Sequence, residues 1–143
     1  FQKQHAKDGG DYPEALDLAL EEAINNQNWS SDATTRLAFI MMDAPPHHDL
    51  DSKSKMQKVV KNAASKGIRL IPIAASGIDK ETEFLMRFCA MLCNGEYVFI
   101  TDHSGVGNGH IEPTIGDYRV QFLNDLLADL IVEASQNKNS AIQ

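Results

Sequence analysis

Three short apolar runs alternate along the chain with longer segments whose apolar residues recur every three or four positions. Short runs without alternation are typical of strands buried on both faces, as in parallel sheets covered by helices. The sequence predicts such strands over residues 37–42, 68–74 and 97–100, with the first as the central strand. The periodic segments predict helices over residues 13–26, 55–66, 82–92 and 117–134.

The alternation of helices and strands predicts the fold class. Helix and strand follow one another from the first predicted helix to the last, which is the pattern of an α/β protein. We therefore expect a Rossmann-like parallel sheet with helices on both faces, formed by residues 1–143 as a single domain. Right-handed crossovers would place the three strands side by side. Gly67 stands where the helix before the second strand needs a left-handed C-cap.

Composition excludes some classes of function. The 143 residues carry a formal net charge of −7, which argues against a nucleic-acid-binding surface, because such a surface needs a basic patch. No apolar run approaches the length of a transmembrane helix. Cys89 and Cys93 lie one turn apart on a predicted helix whose inner face also contains Phe84, Leu85 and Phe88. No zinc partner follows at the usual spacing, so we predict buried free thiols.

A carboxylate closes the first apolar run. Asp43 follows Met42 directly, and Pro45 and Pro46 prevent the strand from continuing. Ligands of open α/β sheets bind at the carboxyl ends of the strands, so Asp43 is a candidate functional residue. The alternative is local, because Asp often ends strands by bonding nearby backbone amides.

Other polar clusters have weaker signals. His47 and His48, with Asp49 and Asp51, contain the ligand types of a transition-metal site, although histidines in a Pro-rich loop are more often solvated. The contiguous residues 102–104 contain the types of a hydrolase triad but cannot adopt its geometry. The glycine-rich residues 105–109 lack the Lys-Ser/Thr of a phosphate-binding loop.

Three motifs together resemble the von Willebrand factor type A domain. They are GGDYPEAL at residues 9–16, FIMMDAPPHH at residues 39–48 and IRLIPIAAS at residues 68–76. Bacterial members of the family often carry a Gly-Gly-Asp-x-Pro-Glu turn before a helix and a strand that ends in Asp-Ala-Pro-Pro-His. The resemblance covers the C-terminal part of the family's domain. The family's first strand, which ends in Asp-x-Ser-x-Ser, is absent from these residues.

The resemblance implies a metal-ion-dependent adhesion site. In the family, loops at the carboxyl edge hold Mg²⁺ or another divalent cation that binds a protein partner. Asp43 matches the family's Asp after the later strand, and Asp11 falls in the loop where the family has a Thr. The resemblance thus implies a non-enzymatic binding module with Asp43 and Asp11 as metal residues, in an extracytoplasmic protein. Only part of the ligand set is present, so these residues alone should bind Mg²⁺ weakly or not at all.

The sequence leaves two alternative functions open, and it also predicts an open edge at the first strand. The chain could be a hydrolase-type enzyme that uses Asp43, His47 and His103, or a degenerate domain with a purely structural role. In the family, an earlier strand pairs with the strand corresponding to residues 36–42. Without that neighbour the strand has an open edge, which is a template for association. Self-association is the favoured outcome; pairing with another chain, or with the chain's own N-terminal residues, is the alternative.

Overall fold

A parallel three-stranded sheet organises the part of the chain that the computed structural model describes, which is residues 13–75, 78–100 and 122–136. Its strands are β1 (Arg36–Met42), β2 (Ile68–Ala74) and β3 (Val98–Phe99). The helices are α1 (Leu16–Glu21), continued by a π-helical turn over Glu22–Asn26, then α2 (Leu50–Ser65), α3 (Lys80–Leu92) and α4 (Leu123–Gln136). The predicted α/β, Rossmann-like class is confirmed.

The strand order is β1-β2-β3, and both pairings are parallel. β1 and β2 pair along their whole length, from Arg36 opposite Ile68 to Met42 opposite Ala74. The central strand of this sheet is therefore β2, and the prediction that the first apolar run is central was wrong. Apolar content could not decide this order, because both runs are equally apolar and the order depends on contacts between distant residues.

Helices cover both faces of the sheet, as predicted. On one face, α1, α2 and α3 enclose a core to which β1 contributes Ile40 and Met42 and β2 contributes Leu70. On the other face, Leu130 of α4 packs in a second core with Ile71 and Ile73 of β2, and with Ile100. Alternate residues of β2 thus enter different cores, because successive side chains of a strand point to opposite faces.

β1 is less buried than its sequence predicts. Met41 is 57% exposed, and Leu37 and Phe39 are only half-buried. In β2, by contrast, every residue except Arg69 is buried. The expectation of burial on both faces is therefore correct for β2 and wrong for β1, because the helices in the described ranges leave the α4 side of β1 partly uncovered.

Side-chain caps place the helix starts earlier than the apolar pattern does. The Asp49 carboxylate accepts hydrogen bonds from the backbone N–H and the Oγ of Ser52, at 2.9 and 2.8 Å, and α2 begins at Leu50 instead of residue 55. Asp79 accepts from the backbone N–H of Thr82 at 2.8 Å and starts α3 at Lys80. At the other end of α2, Gly67 has φ +65°, which confirms the predicted left-handed C-cap.

The remaining elements agree with the sequence in part. β3 contains two residues, fewer than the four predicted, although the N–H of Ile100 still donates to the carbonyl of Ala74 at 2.8 Å. Residues 117–121 of the last predicted helix lie outside the described residues, and α4 continues to Gln136. Cys89 and Cys93 are buried free thiols, as predicted, and burial raises the pKa of Cys89 to about 12.

Candidate functional site

The carboxyl ends of the three strands meet at one edge of the sheet. The N–H of Ala75 donates to the carbonyl of Met42 at 2.8 Å, directly beyond the paired residues of β1 and β2. Asp43 is the first residue after β1 and is exposed to solvent. The structure therefore places this candidate carboxylate at the carboxyl edge, where ligands of open α/β sheets bind.

The segment before α1 lies beside the loop that follows β1. The N–H of Glu14 donates to the carbonyl of Pro45 at 2.8 Å, and the N–H of His47 donates to the carbonyl of Glu14 at 3.2 Å. Together these bonds form a single parallel bridge between Glu14 and Pro46. Ala44 and Pro46 are buried and anchor the loop, while Asp43 stays exposed. Asp11, the second predicted metal residue, lies outside the described residues.

Two other acids near this edge cap helices. The pKa of Asp49 is lowered, chiefly because its carboxylate accepts a hydrogen bond from the backbone of Ser52. The pKa of Asp79 is lowered in the same way by the backbone of Thr82. The carboxylate of Asp43 is exposed, and no residue in the described ranges forms a hydrogen bond or ion pair with it.

Among the described residues, the two histidines after Asp43 are not grouped with other ligand types as a transition-metal site would require. The Nδ1 of His48 lies 3.7 Å from the Oε1 of Glu81, and Asp49 is engaged as the cap of α2. Over the residues for which positions are described, no three His, Cys, Asp or Glu side chains are grouped so that they could hold a metal ion. His103 of the hydrolase alternative is outside those residues, so that alternative stays a prediction.

One surface was missed by the sequence analysis. Phe84 and Phe88 were predicted on the inner face of the third helix, but they are 70% and 43% exposed. The buried residues of α3 are Thr82, Glu83, Met86, Cys89 and Ala90. The apolar stripe of α3 is wider than the face that packs on the sheet. This extra width could have indicated, from the sequence, a second apolar surface that is exposed to solvent.

Comparison of the sequence with protein-family models, with curated proteins and with solved structures gives no match. The assignment of a parallel α/β fold therefore rests on the structure and not on a relative. The family resemblance stays a prediction from the three motifs. None of the helices in the described ranges is long and apolar enough to cross a membrane.

Proposed function

We propose that this chain is a binding module, similar to a von Willebrand type A domain, that binds a protein partner through a divalent cation. Asp43 would supply one carboxylate ligand, and Asp11 a second. The observation that carries the proposal is the exposed carboxylate of Asp43 at the carboxyl edge of a parallel sheet, with which no described residue forms a hydrogen bond or ion pair. In this proposal the chain performs no catalysis.

The bridge between Glu14 and the loop after β1 supports a site with two contributing segments. Asp11 precedes Glu14 by three residues, and three residues of extended chain span at most about 11 Å. Glu14 itself is hydrogen-bonded to Pro45 and His47, which follow Asp43 closely. The covalent chain therefore keeps Asp11 within about 11 Å of Glu14, which is itself hydrogen-bonded to the loop after Asp43.

The described residues do not complete a site for Mg²⁺ by themselves. Mg²⁺ takes about six oxygen ligands, and Asp49 and Asp79 are engaged as helix caps. Asp43, Asp11, water and a carboxylate of the partner would fill the coordination shell. A cation also has an electrostatic role here, because the exposed Asp43 carboxylate repels a carboxylate of the partner unless a positive ion lies between them.

A paramagnetic ion tests where the cation binds. In a titration followed by NMR, we expect Mn²⁺, used in place of Mg²⁺, to broaden first the amide resonances of the non-proline residues of segments 13–15 and 42–47, which are Glu14, Ala15, Met42, Asp43, Ala44 and His47. Asp43→Asn keeps the size of the side chain but removes its charge, so it should abolish this local broadening. We expect calorimetry to show weak binding of Mg²⁺, since only part of the ligand set is present.

Asp51→Asn is the matched control, because Asp51 is an exposed acid in the first turn of α2. It removes the same charge nearby and should leave the broadening unchanged. Broadening centred on Asp125 and Asp129 of α4, or broadening that persists in Asp43→Asn, would show that the ion binds acidic surface in general. Either result contradicts the proposed site.

We also propose that the chain associates with itself through strand 36–42. The open edge of β1 supports this proposal. Among the described elements, β1 pairs with β2 only. A groove of about 380 Å³ lies along its other edge, between β1 and the small side chains of Ala15, Ala19 and Ala23. Unpaired N–H and C=O groups beside such a groove can accept another strand.

We expect sedimentation velocity to show concentration-dependent dimerisation of this chain. Met41→Lys should weaken it, because a lysine on an edge strand opposes pairing with a further strand. Val132→Lys is the control, since Val132 is 51% exposed on α4 and the substitution introduces the same charge. A wild-type chain that stays monomeric at all concentrations would refute association through this edge.

A further inference from the structure

A groove of about 590 Å³ runs between α2 and α3, and it is also lined by Pro46, His47 and His48 of the loop that follows β1. Each helix contributes residues at a spacing of three and four, so one stripe of each helix faces the groove. The apolar residues that the two helices contribute are Met56 and Val60 from α2, and Phe84, Leu85, Phe88, Cys89 and Leu92 from α3.

The α3 side of the groove is exposed and aromatic. Phe84, Phe88 and Leu92 are 70%, 43% and 46% exposed. The rings of Phe84 and Phe88 are nearly parallel, with their centroids 6.4 Å apart. Large apolar side chains grouped at the surface are typical of interaction sites, and aromatic residues are enriched there.

The α2 side of the groove is basic, in contrast with the rest of the chain. α2 contains four lysines and a single acid, Asp51, although the whole chain has a net charge of −7. Lys53 and Lys61 line the groove, eight residues apart, which corresponds to about 12 Å along the helix. The Nζ of Lys53 is 3.9 Å from Glu81, and Lys61 has no partner within the described ranges.

We infer that this groove binds an acidic amphipathic helix of a partner protein. The α3 stripe runs from Glu81 to Leu92, which is about 16 Å or three helical turns. A helix of that length can place apolar side chains at i, i+3, i+4 and i+7 in the groove, as in other helix-in-groove complexes. Its acidic flank then faces Lys53 and Lys61, and this charge complementarity selects an acidic partner over a basic one.

A second copy of the chain does not offer such a helix in the described ranges. α4 is acidic and amphipathic, but its Leu130 is buried in the core against β2. The inference also stands apart from the proposed cation site, since Lys53, Lys61 and the α3 stripe are not among its ligands.

Fluorescence polarisation with synthetic peptides tests the inference. The probe is a labelled, end-capped helical peptide of about 16 residues, with leucines at i, i+3, i+4 and i+7 and glutamates on both flanks. A matched peptide carries lysine at every glutamate position. At low ionic strength we expect the acidic peptide to bind about tenfold more tightly than the basic one.

Three variants locate the binding surface. The double variant Lys53→Glu, Lys61→Glu should weaken the acidic peptide by about tenfold, and Phe84→Ser should weaken it by a similar factor. Because Phe84 is mostly exposed, we expect the Ser variant to fold, which circular dichroism checks. Lys58→Glu is the control; Lys58 lies on α2 but does not line the groove, so binding should not change.

Equal binding of both peptides, no binding of the acidic peptide, or variants without effect would each overturn the inference. Concentration-dependent association of the chain alone that Phe84→Ser abolishes would overturn it too, because the groove would then belong to a second copy.

Discussion

Replacement of Gly95 by alanine is expected to destabilise the protein by about 3 kcal/mol. A Cβ at this position would lie 1.8 Å from the carbonyl oxygen of Leu70 and 2.7 Å from its carbonyl carbon. Both atoms belong to the backbone of β2, the central strand, so they cannot rotate away. The segment after α3 would have to move off the sheet, and the core beneath it would open. The shift of the urea midpoint at an unchanged m value measures the loss.

Gly67→Ala is the matched control. Gly67 has φ +65°, where an L-residue is strained, but an added Cβ would be 3.7 Å from its nearest neighbour, the Nη1 of Arg36. We expect a cost of about 1 kcal/mol from the backbone conformation alone. If Gly95→Ala proves no more costly than Gly67→Ala, the close approach of Gly95 to β2 is wrong.

Leu70→Ala and Ile71→Ala are each expected to lower the free energy of unfolding by about 3 kcal/mol. The two residues are adjacent in β2 and are 0% and 3% exposed. Leu70 packs in the core under α1, α2 and α3, whereas Ile71 packs in the core under α4. Each substitution leaves a cavity on a different face of the sheet. Chemical denaturation of both variants therefore reports on the two cores separately.

Met41→Ala in β1 provides the comparison. Met41 is 57% exposed, so we expect its truncation to change stability by less than about 0.5 kcal/mol. A small effect of Ile71→Ala would show that α4 does not cover β2 as the structure has it. A large effect of Met41→Ala would show that the α4 side of β1 is covered in solution, for example by a second chain.

The strands and helix ends that are set by residues adjacent in the sequence could be predicted from the sequence. β1 and β2 agree with their predicted limits to within one residue, because each is a mostly apolar run bounded by charged or small residues. Gly67 was predicted as a C-cap because the left-handed conformation favours glycine. The start of α2 was missed, since its first turn is polar and only the Asp49 cap marks it.

The end of α3 shows where local signals are insufficient. The sequence predicts that Asn94 and Gly95 follow a helix that ends at residue 92, and α3 does end there. The residue with a positive φ here is Asn94, at 50°, and not the glycine that follows it. The N–H of Gly95 donates to the carbonyl of Ala90 at 2.8 Å. Gly95 is required for a tertiary reason, its contact with the backbone of Leu70.

In the candidate site, too, some features follow from local sequence and others from tertiary contacts. The sequence by itself determined that Asp43 ends a strand, since an apolar run, an acid and two prolines are local features. Only the tertiary structure decided that Glu14 lies beside the following loop and that β1 stands at the edge of the described sheet. It also decided that Phe84 and Phe88 face a groove. These properties depend on contacts between residues far apart in the chain, and apolar periodicity does not encode which apolar surfaces meet.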